Sequence, residues 1–102
     1  MSPQILEPLD AEEEFVVAFD FLNELGGQAI SSAVVTVVVS DAAVADATPA
    51  DLLVGALSIV GGEVRQWIRG RHNGNTYKLR CRATLADGQK RVRAALLPIR
   101  EA

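Results

Sequence analysis

The chain has 102 residues, a net charge of −3, and one each of Cys, His, Trp and Tyr. That length fits one domain with one modest core. A single Cys excludes an internal disulfide framework and a Cys-based zinc site, and no apolar run approaches the ~18 residues of a membrane-spanning helix.

Residues 1–13 read as an arm. Pro3 and Pro8 disfavour helix, and Ile5, Leu6 and Leu9 are too sparse for a core strand. The segment has neither a basic nor an apolar signal region, so synthesis in the cytoplasm and no membrane association are expected. Residues 14–100 form the expected single domain. From Glu14 to Leu22 the pattern alternates, placing Phe15, Val17, Phe19 and Phe21 on one side. Asn23 to Gly27 is a turn.

Ile30 to Ser40 is the strongest strand signal, with Val34, Val35, Thr36, Val37, Val38 and Val39 all β-branched. Apolar residues on both faces suggest cover on both sides, one of them from another chain. Asp41 to Asp51 is an Ala-rich acidic loop, with a helical turn expected after Thr48-Pro49. Short strand pieces follow at Leu52 to Leu57 and Ser58 to Val60, then a Gly61-Gly62 turn. Glu63 to Arg69 alternates Val64, Gln66 and Ile68 against Arg65, Trp67 and Arg69, with Trp67 expected as a core anchor. Gly70 to Asn75 is a loop.

Thr76 to Ala86 and Gln89 to Leu97 alternate on either side of Asp87-Gly88, a type I′ hairpin signal. In a two-residue-loop register Leu79 faces Leu96, Cys81 faces Ala94 and Ala83 faces Val92. The opposite side then carries Lys78, Arg80 and Arg82 beside Arg91 and Arg93, with Arg82 directly across from Arg93. Like charges across a ladder are destabilising, so such a face calls for a counter-charge. About seven short strands with glycine-rich turns give an all-β sandwich or small barrel.

Charge is strongly segregated. Residues 1–63 hold eleven acids and no Lys or Arg, whereas residues 64–102 hold all ten bases and two acids. The halves pair either within the chain or head-to-tail between copies. The expected assembly residues are Lys78, Arg80, Arg82, Arg91 and Arg93, facing Glu12, Glu13 and Glu14 of the same or an adjacent copy.

Catalytic chemistry finds little support. His72 lies in a loop, Cys81 is expected to point inward, and no spacing joins Ser58, His72 and Asp87 into a triad. Neither the Glu12–Glu14 run nor Asp41, Asp46 and Asp51 has metal-ligand spacing, and no glycine-rich phosphate loop occurs. No catalytic residue, cofactor, metal or small-molecule substrate is expected. A basic stripe with Trp67 and Tyr77 on one sheet would suit nucleic acid, but the acidic chain and scarce aromatics argue against it.

Phe19-Asp20-Phe21, Ile30 to Val37, Gly62 to Gly70, Gly74 to Cys81 and Leu97 to Ile99 together resemble a family of small tailed-bacteriophage virion proteins. These are the fibre–tail adaptor or minor structural proteins. Gly70-Arg71 stands where the family pattern carries two glycines. The resemblance implies an immunoglobulin-like antiparallel β-sandwich of about seven strands. It further implies a structural protein of the virion, a tail or fibre adaptor, acting as a homo-oligomer with other virion proteins. A capsid decoration protein is the alternative, and a nucleic-acid-binding β module a remoter one. Tyr77 and Cys81 resemble the Tyr-and-Cys strand of immunoglobulin domains, without a partner Cys and with a wider spacing than a tyrosine corner has.

Overall fold

A computed structural model describes residues 4–6, 13–22 and 25–100, with backbone alone for residues 4 and 5. The strands are β1 (Gln4–Ile5), β2 (Glu14–Asp20), β3 (Ile30–Asp41), β4 (Leu53–Val60), β5 (Glu63–Arg69), β6 (Thr76–Leu85) and β7 (Lys90–Pro98). They form two sheets, ordered β1-β7-β6-β3 and β2-β5-β4. The orders β7-β6-β3 and β2-β5-β4 are the G-F-C and B-E-D orders of an immunoglobulin sandwich. The first strand lies on the G side and pairs parallel with β7, whereas the other pairings among the described residues are antiparallel.

Alternation builds the core. Val17, Phe19 and Phe21 from β2 and its end pack with Val64 and Ile68 of β5 and with Tyr77, Leu79, Cys81, Ala83 and Leu85 of β6. β7 adds Ala95 and Leu97, with Ile99 just beyond its end. Gln66 shares the inward side of β5 and is nonetheless a polar residue, 3% exposed. Its Nε2 faces the backbone oxygens of Val54, Gly55 and Trp67 at 3.3, 3.2 and 2.9 Å. The register of β4 on β5 slips between Val54 and Ser58, where Gly55 adopts φ +70°. Gln66 thus satisfies carbonyls that the bulge strips of ladder partners. The two strand pieces expected around Gly55 are one strand, bulged there.

The arm docks on its own domain at residues 4–6. Gln4 and Ile5 register with Ala95 and Leu96, and the Leu6 amide donates to the Leu96 carbonyl at 2.8 Å. This covers the β7 edge, which would otherwise present unpaired backbone groups. The helical turn after Thr48-Pro49 is a 3-10 turn, Pro49–Leu52, with Leu52 fully buried.

The hairpin register corrects the sequence reading. β6 and β7 pair as Leu79↔Ala95, Cys81↔Arg93, Arg82↔Val92 and Ala83↔Arg91. The Leu85 amide donates to the Gln89 carbonyl at 2.8 Å and the Gly88 amide to the Leu85 carbonyl at 2.9 Å. The loop is therefore three residues, Ala86 to Gly88, with Gly88 at φ +89°. That is the turn-plus-glycine-bulge hairpin rather than the two-residue type I′ turn. One residue of slip moves every β7 side chain to the other face.

Gly74 is held at φ +89°, and a Cβ there would lie 2.9 Å from the Ala43 Cβ. Gly74→Ala is expected to cost about 2 kcal/mol. An unfolding free energy from urea titration within about 0.5 kcal/mol of wild type would contradict this account of the turn.

Candidate assembly surface

The outer face of the β7-β6-β3 sheet follows directly from the register. Its rows run Val34↔Arg82↔Val92, Thr36↔Arg80↔Ala94 and Val38↔Lys78↔Leu96. Three cations therefore stand in file along β6, roughly 7 Å from one to the next, flanked by apolar side chains. Val34 is 49% exposed and Val38 55%. A shallow hollow opens between Val34, Thr36, Arg80 and Arg82. Among the described residues, Lys78, Arg80 and Arg82 form no ion pair; an exposed carboxylate, Asp41, stands at the end of this face, in register with Thr76 one row beyond Lys78.

Arg91 and Arg93 are not part of this stripe, because the corrected register turns them to the inner side. The Arg93 guanidinium lies over the Phe21 ring, 5.5 Å from its centroid, and Arg91 bonds Gln89 at 2.8 Å. The like-charge pair Arg82–Arg93 does not form, since Arg82 faces Val92. Of the three glutamates, Glu12 lies outside the described residues. Glu13 is exposed, and its carbonyl accepts from the Gly70 amide at 2.8 Å. Glu14 is exposed on the outer face of the β2-β5-β4 sheet, in register with Arg69. That face is the far side of the sandwich from Lys78, Arg80 and Arg82.

Trp67 sits at the centre of this second outer face, in the row Val16↔Trp67↔Val54. It is 54% exposed, which overturns its expected role as a core anchor. The alternation that put Val64, Gln66 and Ile68 inward already placed Trp67 on the outer side of β5.

The acidic and basic halves also meet inside the chain, around Asp46. The Asp46 side chain, 1% exposed, accepts from Arg71 Nε at 2.8 Å and Nη2 at 2.9 Å. It also accepts from the Tyr77 hydroxyl at 2.8 Å and the Thr48 amide at 3.0 Å. The Arg71 bonds come first among the causes that hold Asp46 well below the usual carboxylate range, outweighing its burial. The same bond raises Arg71, while burial and then Asp46 raise the Tyr77 phenol. Buried Asn75 accepts from the Ala43 and Val44 amides at 2.8 and 2.9 Å and donates to the Val44 carbonyl and Tyr77 hydroxyl. Arg71 is thus the cation that ties the acidic loop to the start of β6. The sequence reading missed this cluster, which joins residues 25 and 31 positions apart.

None of this is catalytic geometry. β6, ten residues and about 33 Å long, separates His72 from Asp87, and Ser58 lies on the other sheet. Among the described residues no group of three His, Cys, Asp or Glu side chains is placed to hold a metal ion, and no helix is long and apolar enough to cross a membrane. Burial pushes the Cys81 thiol up to about 12. Cys81 is expected to resist a thiol reagent in the native protein and to react at once in denaturant, and rapid native labelling would overturn its placement in the core. Nor does an aromatic ring accompany the basic stripe: Tyr77 is fully buried and Trp67 lies on the opposite sheet.

A comparison with curated proteins finds no significant match. A family model does match, described as Podophage GP4 fiber-tail adaptor protein gp77, over residues 10–98. The match spans strands β2 to β7, and with them the basic stripe, the Trp67 row and the Asp46 cluster. The chain belongs to the podophage fibre–tail adaptor family, and is a structural adaptor of the phage virion.

Proposed function

We propose that this adaptor works as a repeated connector, copies of one chain joined through the basic stripe and the acidic N-terminal side of the next copy. The observation that carries the reading is positional. Glu14 and the Lys78, Arg80 and Arg82 file lie on opposite outer faces, so they cannot pair within one molecule. A neighbour related by rotation brings them together, and such heterologous contacts close into rings. The chain has no catalytic part in this reading, and its other partners are virion proteins.

An exposed ion pair contributes only about 0–1 kcal/mol, so the charges act as a network repeated at every contact. Charge pairing between copies weakens with salt, since screening at physiological ionic strength acts within about 8 Å. Light scattering behind a sizing column is expected to show a discrete oligomer at low salt that dissociates at high salt. Arg82→Glu is expected to remain monomeric. A monomer at every salt concentration and protein concentration would sink the reading.

A further inference from the structure

We infer that Trp67 of one copy seats in the hollow between Val34, Thr36, Arg80 and Arg82 of the next, so that copies stack outer face on opposite outer face. The inference rests on the connector reading above and adds the contact that sets its register.

Two features of the molecule are left unpartnered, on opposite sides, and they fit each other. One is an indole standing on a sheet, 54% exposed, at the centre of a row flanked by Val16 and Val54. Tryptophan is enriched among the residues that anchor protein interfaces, and such anchors cluster near the centre of the contact. The other is a hollow with a valine wall and two guanidinium-bearing side chains. Guanidinium groups stack on indole faces, and Trp is the strongest of the aromatic acceptors for a cation. Apolar side chains flank the anchor on one face and the cations on the other, so valine meets valine when the indole meets arginine.

Charge selects the same pairing. The hollow's face carries Lys78, Arg80, Arg82 and Lys90, with the carboxylate of Asp41 at one end of the sheet, and is cationic on balance. The Trp67 face carries Glu14, Asp20 and Glu63 with Arg65 and Arg69, and Arg65 is already bonded to Glu63 at 2.8 Å. Two hollow faces would repel each other, so self-complementary pairing through the stripe is disfavoured. The contact is heterologous, each copy using both faces.

The protein's sole tryptophan reports on the contact directly. Emission of the wild-type protein is expected to move to shorter wavelength, and iodide quenching to fall, as concentration rises into the assembled range at low salt. Trp67→Ala should remain monomeric there, as should Arg82→Glu. Mixing the two variants is the decisive arm. The Arg82→Glu copy keeps its Trp67 and the Trp67→Ala copy keeps its hollow. An equal mixture should therefore form a dimer and nothing larger, with the blue shift of the one remaining indole. Failure of the two readings is distinguishable. If wild type assembles with its Trp67 emission unmoved, Arg82→Glu does not assemble, and Trp67→Ala assembles as wild type does, the connector reading stands and this contact is wrong. If the mixture gives no dimer, the contact is wrong likewise. If wild type never assembles, both fall.

Discussion

Asn75→Ala is expected to destabilise the domain by about 3 kcal/mol. Asn75 is 0% exposed and uses both ends of its amide. Its oxygen takes the Ala43 and Val44 amides, and its nitrogen gives to the Val44 carbonyl and the Tyr77 hydroxyl. Truncation breaks four bonds, each contributing about 1 kcal/mol, and leaves the Tyr77 hydroxyl short of a donor in a buried site. Water reaches the exposed Ala43–Val44 loop and recovers part of the loss. For a domain of this size the change corresponds to a fall in Tm of about 15 °C. Thermal unfolding followed by circular dichroism measures it. Asn73→Ala, exposed in the loop before β6, serves as the control and should stay within about 0.5 kcal/mol. Equal Tm values for the two variants would show that the Asn75 clamp does not hold the loop.

Acid is expected to destabilise the protein through Asp46, and Asp46→Asn to remove most of that dependence. The sign follows from the direction of the shift. Asp46 is held below its ordinary value of 3.8 by the Arg71 bonds, then by the Tyr77 hydroxyl and the Thr48 amide. A carboxyl depressed in the folded state contributes stability that is present above its unfolded value and is lost as pH falls through the folded one. The loss should run from about pH 5 downward and be incomplete at about pH 2. Asp87 adds a contribution of the same sign, because the Gln89 amide and the Gln28 side chain also hold it low. Urea midpoints across that range are the measurement. Asp46→Asn should be the less stable protein at neutral pH and show the flatter profile, with the Asp87 slope remaining. Parallel profiles for variant and wild type would mean that Asp46 is not the acid-sensitive group.

Local alternation was readable wherever one face of a strand is buried. β2 turned its Phe15, Val17, Phe19 and Phe21 side inward, and β5 its Val64, Gln66 and Ile68 side, as their period of two requires. Trp67 shows the limit of such reading. Its side of β5 was legible, but its exposure was not, because exposure depends on what covers the outer face. Gln66 is the complementary case: a polar residue at an inward position makes sense only once the β4 bulge supplies its acceptors.

The basic face shows what the chain's own order could not decide. Asp87-Gly88 suits a two-residue turn, and it also suits a three-residue loop that puts Gly88 at positive φ. Both are locally sound, and they differ by one residue of register. The choice belongs to the core, where Leu97 and Ile99 are fully buried and Leu96 is left half-exposed on the outer face. Burying Leu97 and Ile99 turns Arg91 and Arg93 inward and cuts the expected file of five bases to Lys78, Arg80 and Arg82. The Asp46 cluster was beyond reach for a related reason: its members lie some 30 residues apart, and no local pattern records which loop a β-strand will meet. What the sequence alone determined was the β-rich class, the strand positions, the segregated charge and the family likeness, because these depend on composition and short-range period. Register, the pairing of Asp46 with Arg71, and the separation of Trp67 and Glu14 from the basic stripe were decided by tertiary packing, because each is a consequence of which side chains the two sheets bury against each other.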